Sequence, residues 1–515
     1  MRFLLIAILA SSTAFGAYTE YYVQTTGSNL NAGSTATDAA AFTYAGGTFV
    51  RATGVYTVAS GNPLTDGVAV GDEASIYTTA GATQPGVVGR VTARDATTIT
   101  INTTDISGAT ANVSEGAAAS TLKIGGAWAG PSTTVDFPFG FILATGVNAS
   151  GDPVKVWIKG GTAYSATDTI TQDDAGITYE GYTSATGDGG RAEINGQANG
   201  TPFNLFNITA AGCRWRNIDW NGNHDATGAS AQATGNYMVI LAARGNYFYN
   251  CRFRNGYRGG IQVGGSGDGS AAYFEECLFE LNQFDDANDM AGCVVAEESN
   301  YVRCRFSRNG AVRHADHASA GGDSAGVKLT NSDGEPASFE DCIFDFNAGD
   351  GIETGSSALS VRRCSFYNNG TSTESGDGID TSAGNAATAL VMMITESIFH
   401  DNALYGIRGD SSIYYPTVKH CAFRDNVSGD TLNVNASFIT GTVTLTADPW
   451  VDPLEGDFDL NSTAGGGAAL KGVGLGTFQK NASEDTGTTL STPDIGASQS
   501  AAGAAAVTRG YIGLP

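Results

Sequence analysis

The chain has 515 residues, with 70 glycines, 12 prolines and no leucine-rich heptads, which disfavours a helical array and favours short strands joined by many turns. Against 27 basic residues stand 52 acidic ones, a formal net charge of −25. A surface of that sign repels nucleic acid and anionic membranes, and a polyanionic substrate meets the same repulsion unless local charge intervenes.

In chain order, Arg2, the apolar run Phe3 to Ala10 and the small-x-small site Ala14-Phe15-Gly16 predict a secretory signal over residues 1–17. A secreted or cell-surface location follows. The run is too short to cross a bilayer and no later stretch reaches 18 apolar residues, so no membrane span is expected. Residues 18–46 read as an N-terminal strand and cap built on Tyr21-Tyr22-Val23. Residues 47–130 change style. Short alternating strands such as Val87-Val88-Gly89-Arg90-Val91 and Thr97-Thr98-Ile99-Thr100-Ile101 predict a small, barrel-like β module that binds a ligand or plugs the solenoid that follows.

That solenoid is expected over 131–446. Its mark is the phrase Cys-x-Phe-x-x-Asn, as in Cys277-Leu-Phe279-Glu-Leu-Asn282 and Cys304-Arg-Phe306-Ser-Arg-Asn309. Complete or looser copies begin at 218, 251, 277, 304, 342, 364, 397 and 421, a short core phrase with variable insertions, as in a solenoid whose turns differ in their loops. A second row, Gly260-Ile261, Gly292-Cys293, Gly326-Val327, Gly351-Ile352, Gly378-Ile379 and Gly406-Ile407, gives each coil at least two strands. Cys and Phe then point inward on one strand and Ile or Val on the other.

Stacked in one register, the cysteines present parallel side chains on strands about 4.8 Å apart. A disulfide needs converging Cβ atoms, so buried free thiols are expected. The Asn row reads as a turn device bonding backbone or the next Asn. Glu276, Arg303, Asp341, Arg363, Glu396 and His420, just before the register position, alternate in sign and predict a charge ladder on a solvent-facing sheet. Residues 447–499 read as a C-terminal cap segment, and 500–515 as an Ala/Gly-rich flexible tail.

Two further stretches carry a family likeness. Tyr21-Tyr22-Val23 through Asn29-Leu-Asn31-Ala-Gly33, and Asp448-Pro449-Trp450-Val-Asp452-Pro453 through Gly456-Asp457-Phe458-Asp-Leu460 and Asp494-Ile495-Gly496-Ala497, resemble the opening and closing segments of exported right-handed parallel β-helix proteins of the pectin-lyase-like superfamily. With the repeats, this resemblance implies an all-β fold: a right-handed parallel β-helix solenoid with a small inserted β module. It also implies polysaccharide as the partner. The family's catalytic motifs do not carry over, since only Asp285-Asp286 matches one of them.

Chemistry is expected where the coil is interrupted. Asn347 to Gly351 and Asn402 to Gly406 are four residues apart, whereas Asn282 to Gly292 is ten, Asn309 to Gly326 seventeen and Asn369 to Gly378 nine. Loops held by a rigid scaffold are where binding and catalysis concentrate. Asp285, Asp286, His314 and His317 are the catalytic candidates, as general acids and bases. Arg313, Asp316, Asp323 and Asp377 are the substrate-binding candidates. No metal site is assigned, although these carboxylates could supply oxygen ligands to Ca²⁺. Three readings follow: an exported protein that binds or cleaves polysaccharide by glycoside hydrolysis or lyase chemistry, a non-catalytic adhesive or structural rod, and a virus-borne trimeric spike. The oligomeric state is left open.

Overall fold

The computed structural model describes residues 19–24, 40–78, 86–105, 119–125, 154–166, 169–172, 175–196, 204–222, 237–256, 259–264, 271–282, 291–295, 298–310, 325–330, 337–354, 358–370, 376–381, 392–409 and 416–471. The expected signal segment, the C-terminal tail and Asp494 to Ala497 lie outside them. Two compact units divide the chain, the first holding residues 1–129 and two short later pieces, the second nearly all of the rest.

In the first unit, six antiparallel strands close into a barrel: Phe42–Val50, Val55–Thr57, Glu73–Tyr77, Val87–Arg94, Thr98–Asp105 and Ser120–Ile124. Alternation explains it. Phe49, Tyr56, Ile76, Val91, Ile99 and Leu122 fill the interior while their chain neighbours face out. Tyr56 brings a polar tip inside. Its hydroxyl donates to the Tyr44 carbonyl (2.6 Å) and accepts from Gly47 N (3.2 Å), so it is buried without an orphaned group. Gly47 leaves the ring its room, since a Cβ there would stand 2.4 Å from Tyr56 Cζ.

The second unit is the solenoid. Long parallel sheets of 12, 11 and 10 strands carry its coils. In one coil, Ala272–Glu275 belongs to sheet 1, Leu278–Glu280 to sheet 2 and Ala291–Val295 to sheet 3. Each coil thus has three strands. The strand of sheet 1 carries an aromatic column absent from the repeat phrase.

Two stacks of rings run through the core. Sheet 2 contributes Phe253, Phe279, Phe306, Phe344, Phe366 and Phe399, with successive centroids 4.7–4.9 Å apart and nearly parallel. Sheet 1 contributes Phe248, Phe274, Tyr301 and Phe339 at 4.8 Å. The ring spacing equals the strand spacing, because in-register parallel pairing puts like residues one above another. Edge-to-face contacts such as Phe274–Phe279 (5.6 Å, 69°) lock the stacks together. The glycines of the second row make space for the rings: a Cβ on Gly351 would stand 2.7 Å from Phe366 Cδ1.

All eight cysteines are free and buried. Thiols of the repeat phrase donate to main-chain carbonyls, as Cys277 does to Phe248 O at 3.5 Å, and Cys293 meets the Tyr301 hydroxyl at 3.2 Å. Burial pushes Cys293 and Cys421 up to about 12, so they are core groups and not nucleophiles. The asparagines form a continuous ladder. Asn282, Asn309, Asn347, Asn369 and Asn402 each donate from Nδ2 to Oδ1 of the next, ending on Asn426, at 2.8–3.1 Å. The same amide also reaches a carbonyl of the preceding coil, for example Asn309 to Phe279 O at 3.1 Å.

One expectation is corrected. Glu276, Arg303, Asp341, Arg363, Glu396 and His420 do not face solvent from a sheet. They form the corners between sheets 1 and 2, each in the left-handed backbone region with φ of 52–57°. The alternation of sign is real, since Arg303 Nε lies 3.2 Å from Glu276 and Arg363 Nε 2.6 Å from Asp341. A corner tucks its side chains against the next coil, so Asp341, Arg363 and Glu396 are buried. A second left-handed corner, at Leu281, Arg308, Phe346, Asn368, Asp401 and Asp425, precedes each ladder asparagine.

The segment from Asp448 to Leu470 runs along the outer face of sheet 2. Its hairpin, Trp450–Asp452 with Asp457–Leu460, seats Trp450 and Phe458 on Ile343, Tyr367, Ile398 and Ala422.

Candidate functional site

Sheet 3 carries one run of charge on its outward side. Strands Ala325–Leu329, Ile352–Thr354, Ile379–Asp380 and Tyr405–Arg408 pair so that Lys328, Glu353, Asp380 and Arg408 fall on successive rungs. Val327, Ile352, Ile379 and Ile407 point the other way into the core, so period-two alternation puts these four charged groups on one outer column. Lys328 Nζ meets Glu353 Oε1 at 3.0 Å. Arg408 Nη1 stands 3.8 Å from Asp380 Oδ2 and remains about one-third exposed.

Behind the column lie two more acids, at the turn into the strand. Asp350 precedes Gly351, and one coil later Asp377 precedes Gly378. Asp350 Oδ1 accepts from the N–H groups of Gly376 (3.0 Å) and Asp377 (2.7 Å). Asp377 Oδ1 accepts from Tyr405 N–H at 2.7 Å. Each aspartate therefore pins the main chain of the next coil. The two differ at the second oxygen. Asp377 Oδ2 is buried, accepts no hydrogen bond, and stands 3.6 Å from Arg408 Nη1.

Burial dominates the electrostatics. It pushes Asp377 up to about 7, helped by the nearby Asp380 charge and opposed by the Tyr405 amide and the Arg408 guanidinium. Asp350 is driven well above the ordinary carboxylate range, first by burial and then by the charges of Asp380 and Asp377. The assembly is a buried carboxyl group raised toward neutrality, screened by a partly exposed arginine and flanked by two carboxylates of the outer column.

Of the residues expected to act, Asp377 belongs to this cluster. Asp285, Asp286, His314, His317, Arg313, Asp316 and Asp323 lie outside the described residues, as do the loop carboxylates considered for Ca²⁺ other than Asp377. Among the described residues, no three His, Cys, Asp or Glu side chains are placed to hold a metal ion. Lys328, Asp350, Glu353, Asp380 and Arg408 were not anticipated. A signal for them existed in two consecutive coils, Asp350-Gly-Ile-Glu353 and Asp377-Gly-Ile-Asp380, where the core pair Gly-Ile is bracketed by acids.

Residues 218–391 and 316–448 match the family model described as a right-handed β-helix region. The fold of this region is a right-handed parallel β-helix. No curated protein matches the chain. Similar solved structures include ORF18 of Geobacillus virus E2, with 13% identity, a TM-score of 0.40, and 58% of this chain against 54% of that one. The chain spans about half the length of that viral protein. The pectate lyase Pel9A shows 15% identity and a TM-score of 0.40 over 68% of this chain and 89% of its own. A tailspike protein of E. coli bacteriophage HK620 shows 14% identity and a TM-score of 0.37 over 61% and 64%. No helix among the described residues is long and apolar enough to cross a membrane.

Proposed function

We propose that the chain is an exported protein that binds and cleaves extracellular polysaccharide along the outer face of sheet 3. The observation that carries this reading is the buried carboxyl of Asp377, its Oδ2 without a hydrogen bond and 3.6 Å from Arg408, which itself reaches toward Asp380. Asp380, beside the partly exposed Arg408, is the carboxylate nearest the glycan, and Glu353 is held by Lys328 on the neighbouring rung. Asp380 and Glu353 occupy adjacent rungs, about 4.8 Å apart at the backbone. Arg408 orients sugar oxygens, and buried Asp377 is a positioning residue that sets the charge around it. Export rests on the signal-like start at Arg2 and Phe3 to Ala10.

The test is a panel of neutral and acidic polysaccharides incubated with the wild type and with Asp380→Asn. New reducing ends mark hydrolysis, and ultraviolet absorbance of an unsaturated sugar marks elimination. Hydrolytic products from the wild type, reduced at least a hundredfold in Asp380→Asn at unchanged melting temperature, support the reading. A wild type that binds glycans without releasing product belongs to an adhesive rod instead.

A further inference from the structure

A second polar cleft lies on a different face. On the early rungs of sheet 2, the strands Ala192–Gly196, Ile218–Asn221, Arg252–Arg254 and Leu278–Glu280 pair in register. Their outward side chains include Glu193, Asp219, Arg252, Arg254 and Glu280. Glu193, Asp219 and Arg252, together with two glycine-bearing turns, border a cleft of about 450 Å³, a volume in the range of small-ligand sites, with Arg254 and Glu280 paired to them from the side.

The rim is rigid. Asp188 accepts from the main-chain N–H groups of Ser184 (2.7 Å), Ala185 (3.1 Å), Thr183 (3.1 Å) and Gly190 (2.8 Å), which fixes the turn that carries Gly189 and Gly190. Those amides hold its carboxyl well below the usual range. Arg191 is fixed in turn by Asn250, its Nε reaching Asn250 O at 3.1 Å and its guanidinium also meeting the Asn250 side chain. A preformed rim of this kind spares a ligand the cost of ordering it.

The charges of the floor are already balanced. Arg254 bridges Asp219 (3.0 Å) and Glu193 (3.0 Å), and Arg252 binds Glu280 and approaches Asp219 at 3.8 Å. With Arg191 on the rim, three guanidinium groups stand with three carboxylates, so the cleft and its surroundings carry no net formal charge. Hydrogen-bonding capacity remains, however. Glu193 is about one-third exposed and uses only Oε1 in its contacts with Arg254 and Asn221.

We infer that this cleft on the early rungs of sheet 2 is a binding site for an uncharged, polyhydroxylated ligand, a short segment of neutral glycan. Planar carboxylate and guanidinium groups held in fixed pairs offer acceptors and donors to neighbouring hydroxyls without favouring a charged sugar. The inference stands apart from the chemistry proposed on sheet 3. It concerns a holding site and needs no turnover.

The experiment uses the full chain with short neutral oligosaccharides of glucose, galactose and mannose, and with oligogalacturonate as the charged control. Saturation-transfer NMR detects binding and calorimetry gives its strength. Thr162→Trp fills the cleft from an exposed rim position, and Glu193→Gln removes a charged acceptor without changing shape. A neutral oligosaccharide bound by the wild type and by Asp380→Asn, and weakened roughly tenfold or more by each cleft variant, is the expected result. Either cleft variant that keeps its melting temperature serves alone. Absence of neutral binding, equal binding by the cleft variants, or preference for oligogalacturonate overturns the inference. Product release in the polysaccharide assay is a separate readout, so the two proposals fail independently.

Discussion

The early and late rungs of sheet 2 share one interior and have opposite exteriors. Inward, Phe253 and Phe279 on the early rungs stack as Phe366 and Phe399 do on the late ones, 4.7–4.9 Å apart. Outward, the early rungs show Glu193, Asp219, Arg252, Arg254 and Glu280, paired among themselves around an open cleft. The late rungs show Ile343, Tyr367, Ile398 and Ala422, covered by Trp450 and Phe458. Arg305 marks the divide, with its guanidinium on buried Asp345 at 2.6 Å and beside the Phe458 ring. In a stacked coil the inward column answers only to packing, so it repeats. The outward column is free to differ and decides which stretch is sealed and which is left for ligands.

The largest effects test the shared interior. Phe279→Ala on an early rung and Phe366→Ala on a late one each remove a fully buried ring from a stack, and each is expected to cost about 3–5 kcal/mol. Urea unfolding followed by circular dichroism measures both. Equal losses support a common core, and a loss confined to one half breaks the comparison.

Trp450→Ala comes next and acts on one half only. The indole makes edge contacts with Tyr367 (5.2 Å) and Phe458 (5.1 Å) and lies 5.2 Å from His400. Its loss is expected to cost about 3 kcal/mol, felt mainly in the hairpin. Hydrogen exchange should show loss of protection over 450–460 and unchanged rates over 252–280.

A smaller effect separates the faces by pH. Burial lowers His400, so its contribution to stability is present above its ordinary 6.5 and is lost as pH falls below that value. Burial raises Asp377, so its contribution is complete below 3.8 and is lost as pH rises toward about 7, with Asp350 acting in the same sense. Amide exchange in the hairpin should therefore quicken in acid, while exchange around Ile352 to Asp380 quickens toward neutrality. His400→Phe should abolish the first trend and leave the second. The smallest change is expected at a corner: Glu276→Gln breaks the partly exposed pair with Arg303 and should shift stability by about 0–1 kcal/mol.

The solenoid was legible because its core residues obey one local rule. Cys277, Phe279 and Asn282 stand at fixed offsets whatever the loop length, and a single coil suffices to assign them. The corners were legible only as alternating charge. That Glu276 or Arg363 takes φ above zero follows from the meeting of two strands, which side-chain type does not announce. The column Lys328, Glu353, Asp380 and Arg408 was harder still, because its members meet only after insertions of unequal length are looped out. Asp377 was named for its place in a loop. Its partner Asp350 sits in a coil with no insertion and drew no notice, although the Asp-Gly-Ile-acid pattern repeats in both.

The reading of sheet 3 rests on the buried carboxyl of Asp377, behind the outer column, being raised to about 7 by its burial. Infrared difference spectra between the wild type and Asp377→Asn, recorded across the pH range, isolate the carbonyl stretch of one protonated carboxyl group. The account predicts a band present in mild acid that disappears with a midpoint near 7. A midpoint near the ordinary carboxylate value of 3.8, or no band at all, contradicts it.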